Sequence, residues 1–370
     1  MKKFSILAAL LLLAGCTYPF SVELEDSQEL SLVVDANILI GNTSTVKLSY
    51  LQPLQVGKQG STPGRVSADV FLEDESGNTY RARDNYGTYV IDEFNPSGSE
   101  KYRLTIVSEG KTYRSEWVEP VAPPQITNVS FRADDSHVYL ELSMEDDGSG
   151  SGYAASVMEE IWNFHTDYVR ILDFDPETAS IFTMMNPDDS HFWCWRKYSV
   201  QTQSIIDYSG MGGKVNAFVL SRFPRSDNRN HREYSAKVKL WNLTKEQYEY
   251  RRMLEENASI GGNLFSPEPG EVRGNVYCES NLNEKVFGYV NISRVATRVI
   301  TLDNKYYIEK GPSVKLIEVA PEDYMSRYTS GYMPIDYFTN SEGEDVPGWG
   351  LGRCYDCIEA GGTLEKPDFD

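Results

Sequence analysis

The sequence predicts a mainly β fold in two domains, and three observations carry that reading. Short runs rich in β-branched and aromatic residues recur along the chain, separated by Gly, Asn and Asp. The cluster Pro120, Pro123 and Pro124 interrupts them where neither a helix nor a central strand could continue. One segment, beginning at Thr244, combines a helix start signal with helical spacing. At 370 residues the chain exceeds one typical domain, so two are expected.

The elements follow in order. Lys2 and Lys3 precede an apolar run over residues 4–13, and Leu13, Ala14, Gly15 and Cys16 close it. A basic start, a short apolar stretch and small residues before a cysteine form a lipoprotein signal over residues 1–15, with Cys16 as the lipidated residue. The run is too short for a span of about 20 apolar residues, and no second run of that length follows. Residues 16–29, with Glu23, Glu25, Asp26 and Glu29, have little periodicity and read as a solvated tether.

Residues 30–119 hold about seven short strand candidates, which suggests an N-terminal β-sandwich of immunoglobulin-like size. Within it, residues 101–106 alternate faces, and Glu109 with Gly110 supplies a tight turn before Thr112 to Arg114 continue the pattern. A second turn falls at Glu75, Ser76, Gly77 and Asn78. Its acidic residues lack the ligand spacing of a helix-loop-helix calcium site, so it reads as a solvated turn.

Residues 120–125 form a Pro-rich linker, and 126–370 a larger β-rich domain. Its strand candidates are 126–131, 137–144, 191–198, 215–223, 233–240, 274–278 and 286–297. The loop 146–152, rich in Asp, Gly and Ser, resembles a flexible connector. A single amphipathic helix is expected near 244–256. Thr244 is its N-cap, Gln247 completes a capping box, and Leu243 with Tyr248 forms a hydrophobic staple. Tyr250, Met253 and Leu254 share a face read as core packing, with Arg251 and Arg252 on the exposed side.

With 35 Lys and Arg against 55 Asp and Glu, the net charge of −20 disfavours nucleic acid and anionic headgroups alike. Membrane attachment would come from the lipid. Besides Cys16 there are four cysteines, Cys194, Cys278, Cys354 and Cys357, an even number suited to disulfides in an exported chain. Of the three possible pairings, spacing favours Cys354 with Cys357 and, by elimination, Cys194 with Cys278. The CxxC could instead be a redox pair or half a zinc site. It lies among glycines without a second CxxC or nearby His, which favours a structural disulfide.

Catalytic constellations are sparse. Neither G-x-S-x-G nor H-E-x-x-H occurs, and His137, His165, His191 and His231 are scattered singly. Gly210, Met211, Gly212, Gly213 and Lys214 fail as a phosphate loop, because Val215 replaces the Ser or Thr and Tyr208 the first Gly. Asp173 with Asp175 and Asp188 with Asp189 read as acidic loops. No cofactor or metal site is expected. The aromatic load, 24 Tyr and 6 Trp, suits sheet packing, carbohydrate stacking or a protein interface, which the sequence leaves open.

The stretch Trp241, Leu243, Thr244, Lys245, Glu246, Tyr248, Leu254, Gly262, Asn263, Phe265, Pro267, Pro269, Gly274, Asn275, Val286, Gly288 and Tyr289 resembles the DUF4249 family, Bacteroidota lipoproteins of unknown function. Cys354, Asp356, Cys357, Gly361, Gly362, Lys366, Pro367, Asp368 and Phe369 resemble that family's ending, with Asp370 where members commonly carry Trp. The lipobox and Leu32, Val33 and Val34 fit its start. The resemblance implies a setting beside TonB-dependent outer-membrane receptors and carries over no catalytic residue. The expectation is therefore a non-enzymatic accessory lipoprotein of the outer membrane, on its periplasmic or cell-surface face, that binds such a receptor or its ligand. A structural or adhesive surface protein ranks second, and a surface hydrolase third.

Overall fold

The computed structural model describes residues 31–51, 65–96, 101–148, 150–199, 203–259, 274–303, 306–308 and 311–369. Cys16, the tether, Gly262 to Pro269 and Asp370 lie outside them. The chain is mainly β, with several sheets and two helices among the described residues, α1 (Lys245–Ser259) and α2 (Tyr324–Thr329). No described helix is long and apolar enough to cross a membrane.

The expected hairpin forms between Tyr102–Ser108 and Lys111–Ser115. Glu109 (φ 51°) and Gly110 (φ 76°) supply the two left-handed residues that match the twist of its strands. This hairpin lies in a five-stranded sheet ordered Val276–Cys278, Lys111–Ser115, Tyr102–Ser108, Asp69–Asp74 and Thr79–Arg81. A second five-stranded sheet runs Phe287–Arg294, Leu32–Ile40, Ser44–Tyr50, Thr88–Ile91 and Arg83–Asn85. Inward residues of both, among them Leu32, Ile38, Leu72, Tyr89, Tyr102 and Ile106, form one core.

Two strands of this sandwich come from far along the chain, which corrects the division expected at residues 120–125. Phe287–Arg294 pairs in parallel with Leu32–Ile40, and Val276–Cys278 pairs with Lys111–Ser115. The chain leaves the first sandwich at the proline cluster and later returns to complete it. Residues 126–370 are therefore not one continuous domain. The run expected as a single strand over 286–297 divides at Val295. Phe287–Arg294 serves the first sandwich, and Ala296–Asp303 joins a sheet of the second.

The second sandwich packs a three-stranded sheet (Lys214–Pro224, His137–Glu145, Gln125–Ala133) on a larger one ordered Trp193–Ser199, Tyr153–His165, Glu233–Asn242 and Ala296–Asp303. Ser204–Asp207 pairs with the start of Tyr153–His165. Leu140, Leu142, Met158, Phe223, Tyr234 and Val238 share its core. Beyond it, the hairpin of Arg170–Asp175 and Ser180–Asp188 packs Phe174 against Trp349 of a three-stranded sheet, Ile317–Glu318, Asp345–Leu351 and Tyr332–Thr339.

Helix α1 starts as its capping signal requires, with Thr244 Oγ1 accepting from the Gln247 N–H at 3.1 Å. Tyr248 stacks on Tyr153 with ring centroids 4.0 Å apart, and Tyr250 meets Tyr289 of the return strand. Leu254, expected in the core, is exposed, whereas Gln247 is buried and Arg251 half-buried. The sheet supports the first turns of the helix more than its later ones.

Candidate functional site

The most developed site stands on the outer face of the larger sheet in the second sandwich. Tyr153–His165 is its central strand, and Trp193–Ser199 pairs with it so that Asn163 opposes Trp195 and His165 opposes Trp193. Alternate residues of a strand share a face, so Trp193, Trp195, Asn163 and His165 stand together. Cys194 and Phe164 point the other way. An open cleft of about 540 Å³ lies over this face, lined by Asn163, Trp193, Trp195, Arg232, Glu233, Thr301 and Leu364.

Each indole is held by neighbours. The Arg232 guanidinium lies 3.8 Å from the Trp193 ring centroid, and His165, Phe192 and His231 pack against the same ring. The Lys366 ammonium sits 5.1 Å from the Trp195 centroid and pairs with Glu233. These contacts fix the rings, as a recognition surface requires if ordering entropy is not to be lost on binding.

Asn163 is only 7% exposed. Its Nδ2 donates to the Cys194 carbonyl at 3.1 Å, which settles the amide orientation because a carbonyl only accepts. Oδ1 has no hydrogen-bond partner. An unmet buried acceptor costs on the order of 1–3 kcal/mol, and this one belongs to a residue that lines the cleft.

The C-terminal segment builds one wall. Trp193–Ser199 is an edge strand, and residue 363 covers it: Trp195 N–H donates to the Thr363 carbonyl at 2.7 Å, and Thr363 N–H returns the bond at 2.9 Å. Leu364 then reaches the cleft, and Lys197 Nζ donates to the Asp368 carbonyl. On the opposite face Cys194 is disulfide-bonded to Cys357. The segment thus crosses the sheet edge from the disulfide on one side to the cleft on the other.

This disulfide replaces both expected pairings. Cys354 and Cys357 lie three positions apart, but they face different surroundings. Cys354 closes a 3₁₀ turn (Gly352–Cys354) among Leu316 and Ile335, while Cys357 packs with Phe164. Cys278 is buried in the first sandwich and could not meet Cys194 in the second. Cys278 and Cys354 remain thiols, and burial pushes both up in pKa.

The other sequence candidates take different places. His165 and His231 come together beside the cleft with centroids 4.4 Å apart, which their separation in sequence concealed. His191 Nδ1 lies 2.9 Å from Asp356 in the CxxC turn, and His137 packs near Tyr139. Arg170 bridges Asp173 and Asp188 across their hairpin, and Asp175 caps the hairpin turn through Glu177 N–H and Thr178. Residues 146–148 and 150–152 meet Tyr208, Ser209, Gly212 and Gly213 around another cleft of about 450 Å³, with Lys214 paired to Glu145. Among the described residues no three His, Cys, Asp or Glu side chains converge as a metal would need.

Residues 17–299 match the family described as a domain of unknown function, DUF4249. No curated protein matches the chain. Among solved structures, a segment of two fibronectin type III domains from chicken tenascin is 10% identical, covering 57% of this chain and 89% of that one, with a TM-score of 0.17.

Proposed function

Because the chain belongs to the DUF4249 family, whose function is unknown, we propose its role from its own residues: a lipid-anchored, non-catalytic accessory protein of the outer membrane. It would hold a ligand in the Trp193–Trp195 cleft beside a TonB-dependent receptor. The observation that carries this reading is the cleft itself, where two fixed indoles, a buried unmet acceptor and an arginine converge on one sheet face. Clefts of about 300–1,000 Å³ with a few convergent polar groups are the usual form of small-ligand sites.

The lipobox ending at Cys16 supports the anchor. Confinement to a membrane raises the effective concentration of a receptor in the same plane, so a weak contact suffices. The tether of residues 16–29 and the first sandwich, which we read as immunoglobulin-like, would act as a spacer.

The test uses the full chain with an affinity tag after Asp370, extracted from membranes in mild detergent after cross-linking in cells. Recovery of a β-barrel receptor from the native chain, and loss of both membrane association and recovery in Cys16→Ser, is the expected result. A native chain that stays in the aqueous fraction, or repeatedly recovers no barrel, would refute the proposal.

A further inference from the structure

We propose that the Trp193–Trp195 cleft binds an acidic saccharide, a hydroxyl-bearing sugar ring carrying a carboxylate or sulfate. This deepens the ligand-binding part of the reading above and rests on it.

The three kinds of group in the cleft each ask for a different part of such a ligand. Trp193 and Trp195 stand two positions apart on one strand, are held by their neighbours, and line the cleft with the part of each indole left uncovered, which suits the C–H face of a sugar ring. Asn163 Oδ1 is an acceptor without a donor, oriented by the bond from Nδ2 to the Cys194 carbonyl. Asn163 lines the cleft, and a small turn of its buried amide would offer that acceptor to a ligand hydroxyl, whereas a purely aliphatic ligand would leave it unmet. Thr301 lines the same cleft, its hydroxyl 2.9 Å from that of Ser235, so a second polar group is already oriented there.

Arg232 adds the charge preference. Its guanidinium is exposed, lies flat enough to sit 3.8 Å from the Trp193 ring centroid, and forms no ion pair with a described residue. Among the described residues that line the cleft the other charged one, Glu233, pairs with Lys366, and the two cancel. Among the described residues one cation therefore remains at the cleft, in a protein whose net charge is −20, and a guanidinium takes carboxylate or sulfate oxygens through paired N–H donors. An aromatic ligand would use the indoles but neither Asn163 nor Arg232. A neutral sugar would use the first two and leave the third without a counter-charge.

The experiment is calorimetric titration of the mature lipoprotein in detergent with oligogalacturonate, a sulfated oligosaccharide and neutral cello-oligosaccharide. Trp195→Ala and Arg232→Gln are compared with the native chain, each checked by circular dichroism. Binding of at least one acidic probe is expected. Arg232→Gln should weaken it about tenfold or more, the range for a hydrogen bond to a charged group, while changing neutral-sugar binding less than about twofold. Trp195→Ala should abolish it. Arg232 is exposed, so its variant keeps the test valid even where Trp195→Ala disturbs the C-terminal segment.

Absence of acidic-sugar binding at millimolar concentration overturns the inference, as does equal affinity for the neutral probe or indifference to Arg232→Gln. Receptor recovery with the tagged chain is measured in parallel. If recovery persists without sugar binding, the saccharide inference alone falls; if both fail, the wider reading falls as well.

Discussion

Removing the Cys194–Cys357 disulfide should be among the most destabilising changes available in this chain. The bond closes a loop with a sequence separation of 163 residues. In the chain-entropy treatment, a loop of that length restricts the unfolded ensemble by about 5 kcal/mol at 25 °C. Net stabilities are typically about 5–15 kcal/mol, so the bond would be a large share of the whole. Both cysteines are fully buried, and Cys194→Ala with Cys357→Ala keeps the site apolar while deleting the link. The assay is urea unfolding of the double variant and of the native chain with and without reductant, with a non-reducing peptide map of the native protein. The variant should match the reduced native chain, several kcal/mol below the oxidised one, and the map should join the peptides of Cys194 and Cys357. Cys278 and Cys354 should alkylate only after unfolding, since both are buried. A loss below about 1 kcal/mol, or a map joining Cys354 to Cys357, would refute the reasoning.

Other consequences follow from single groups. Glu160 is 2% exposed and accepts from Tyr234 Oη at 2.5 Å and from Arg229 at 3.3 Å, so Arg229→Ala leaves a buried carboxylate with one of its donors. The expected cost is about 3–5 kcal/mol in urea unfolding, and a cost under about 1 kcal/mol would contradict it. Gly288 has φ 120°, and a Cβ there would collide with the Val34 carbonyl of the parallel neighbour. Gly288→Ala should therefore cost more than about 3 kcal/mol or yield insoluble protein, whereas an unchanged melting temperature would show that the return strand can shift. Burial pushes the Asp356 carboxyl up, but hydrogen bonds from His191 and from Ile358 and Glu359 N–H outweigh it and hold the pKa below the usual carboxylate range. A depressed pKa gives stability that is present above about pH 4 and lost as pH falls through the folded value. Melting temperatures of Asp356→Asn and native protein should therefore differ at neutral pH and converge in acid; a gap that is constant with pH would count against this.

The parts of the fold that were legible in sequence are those written by local physics. Glu109 with Gly110 and Thr244 with Gln247 specify a turn and a cap through backbone conformation and hydrogen bonds a few residues long. The central strand Tyr153–His165 was not legible, because both its faces are largely covered and its burial does not alternate cleanly. The run 286–297 gave one strand where there are two, since Val295 is itself β-branched and carries no turn signal at the change of sheet. The return of Phe287–Arg294 to the first sandwich is a parallel pairing across some 250 positions, which no local pattern encodes.

The site was hidden for the same reason. Trp193 and Trp195 were visible as aromatic residues of a strand, but which face they take depends on the pairing with Tyr153–His165. That face in turn decides where the C-terminal segment can run. Because Cys194 points inward between two outward indoles, a disulfide to Cys357 brings the segment to the sheet edge, and Thr363 then covers the backbone groups of Trp195 that an edge would leave open. Leu364 reaches the cleft and Lys366 the Trp195 ring as a result. One strand register therefore sets the disulfide, the protected edge and a wall of the cleft together. A one-residue slip of this strand against Tyr153–His165 would send the indoles towards the core and Cys194 outward together.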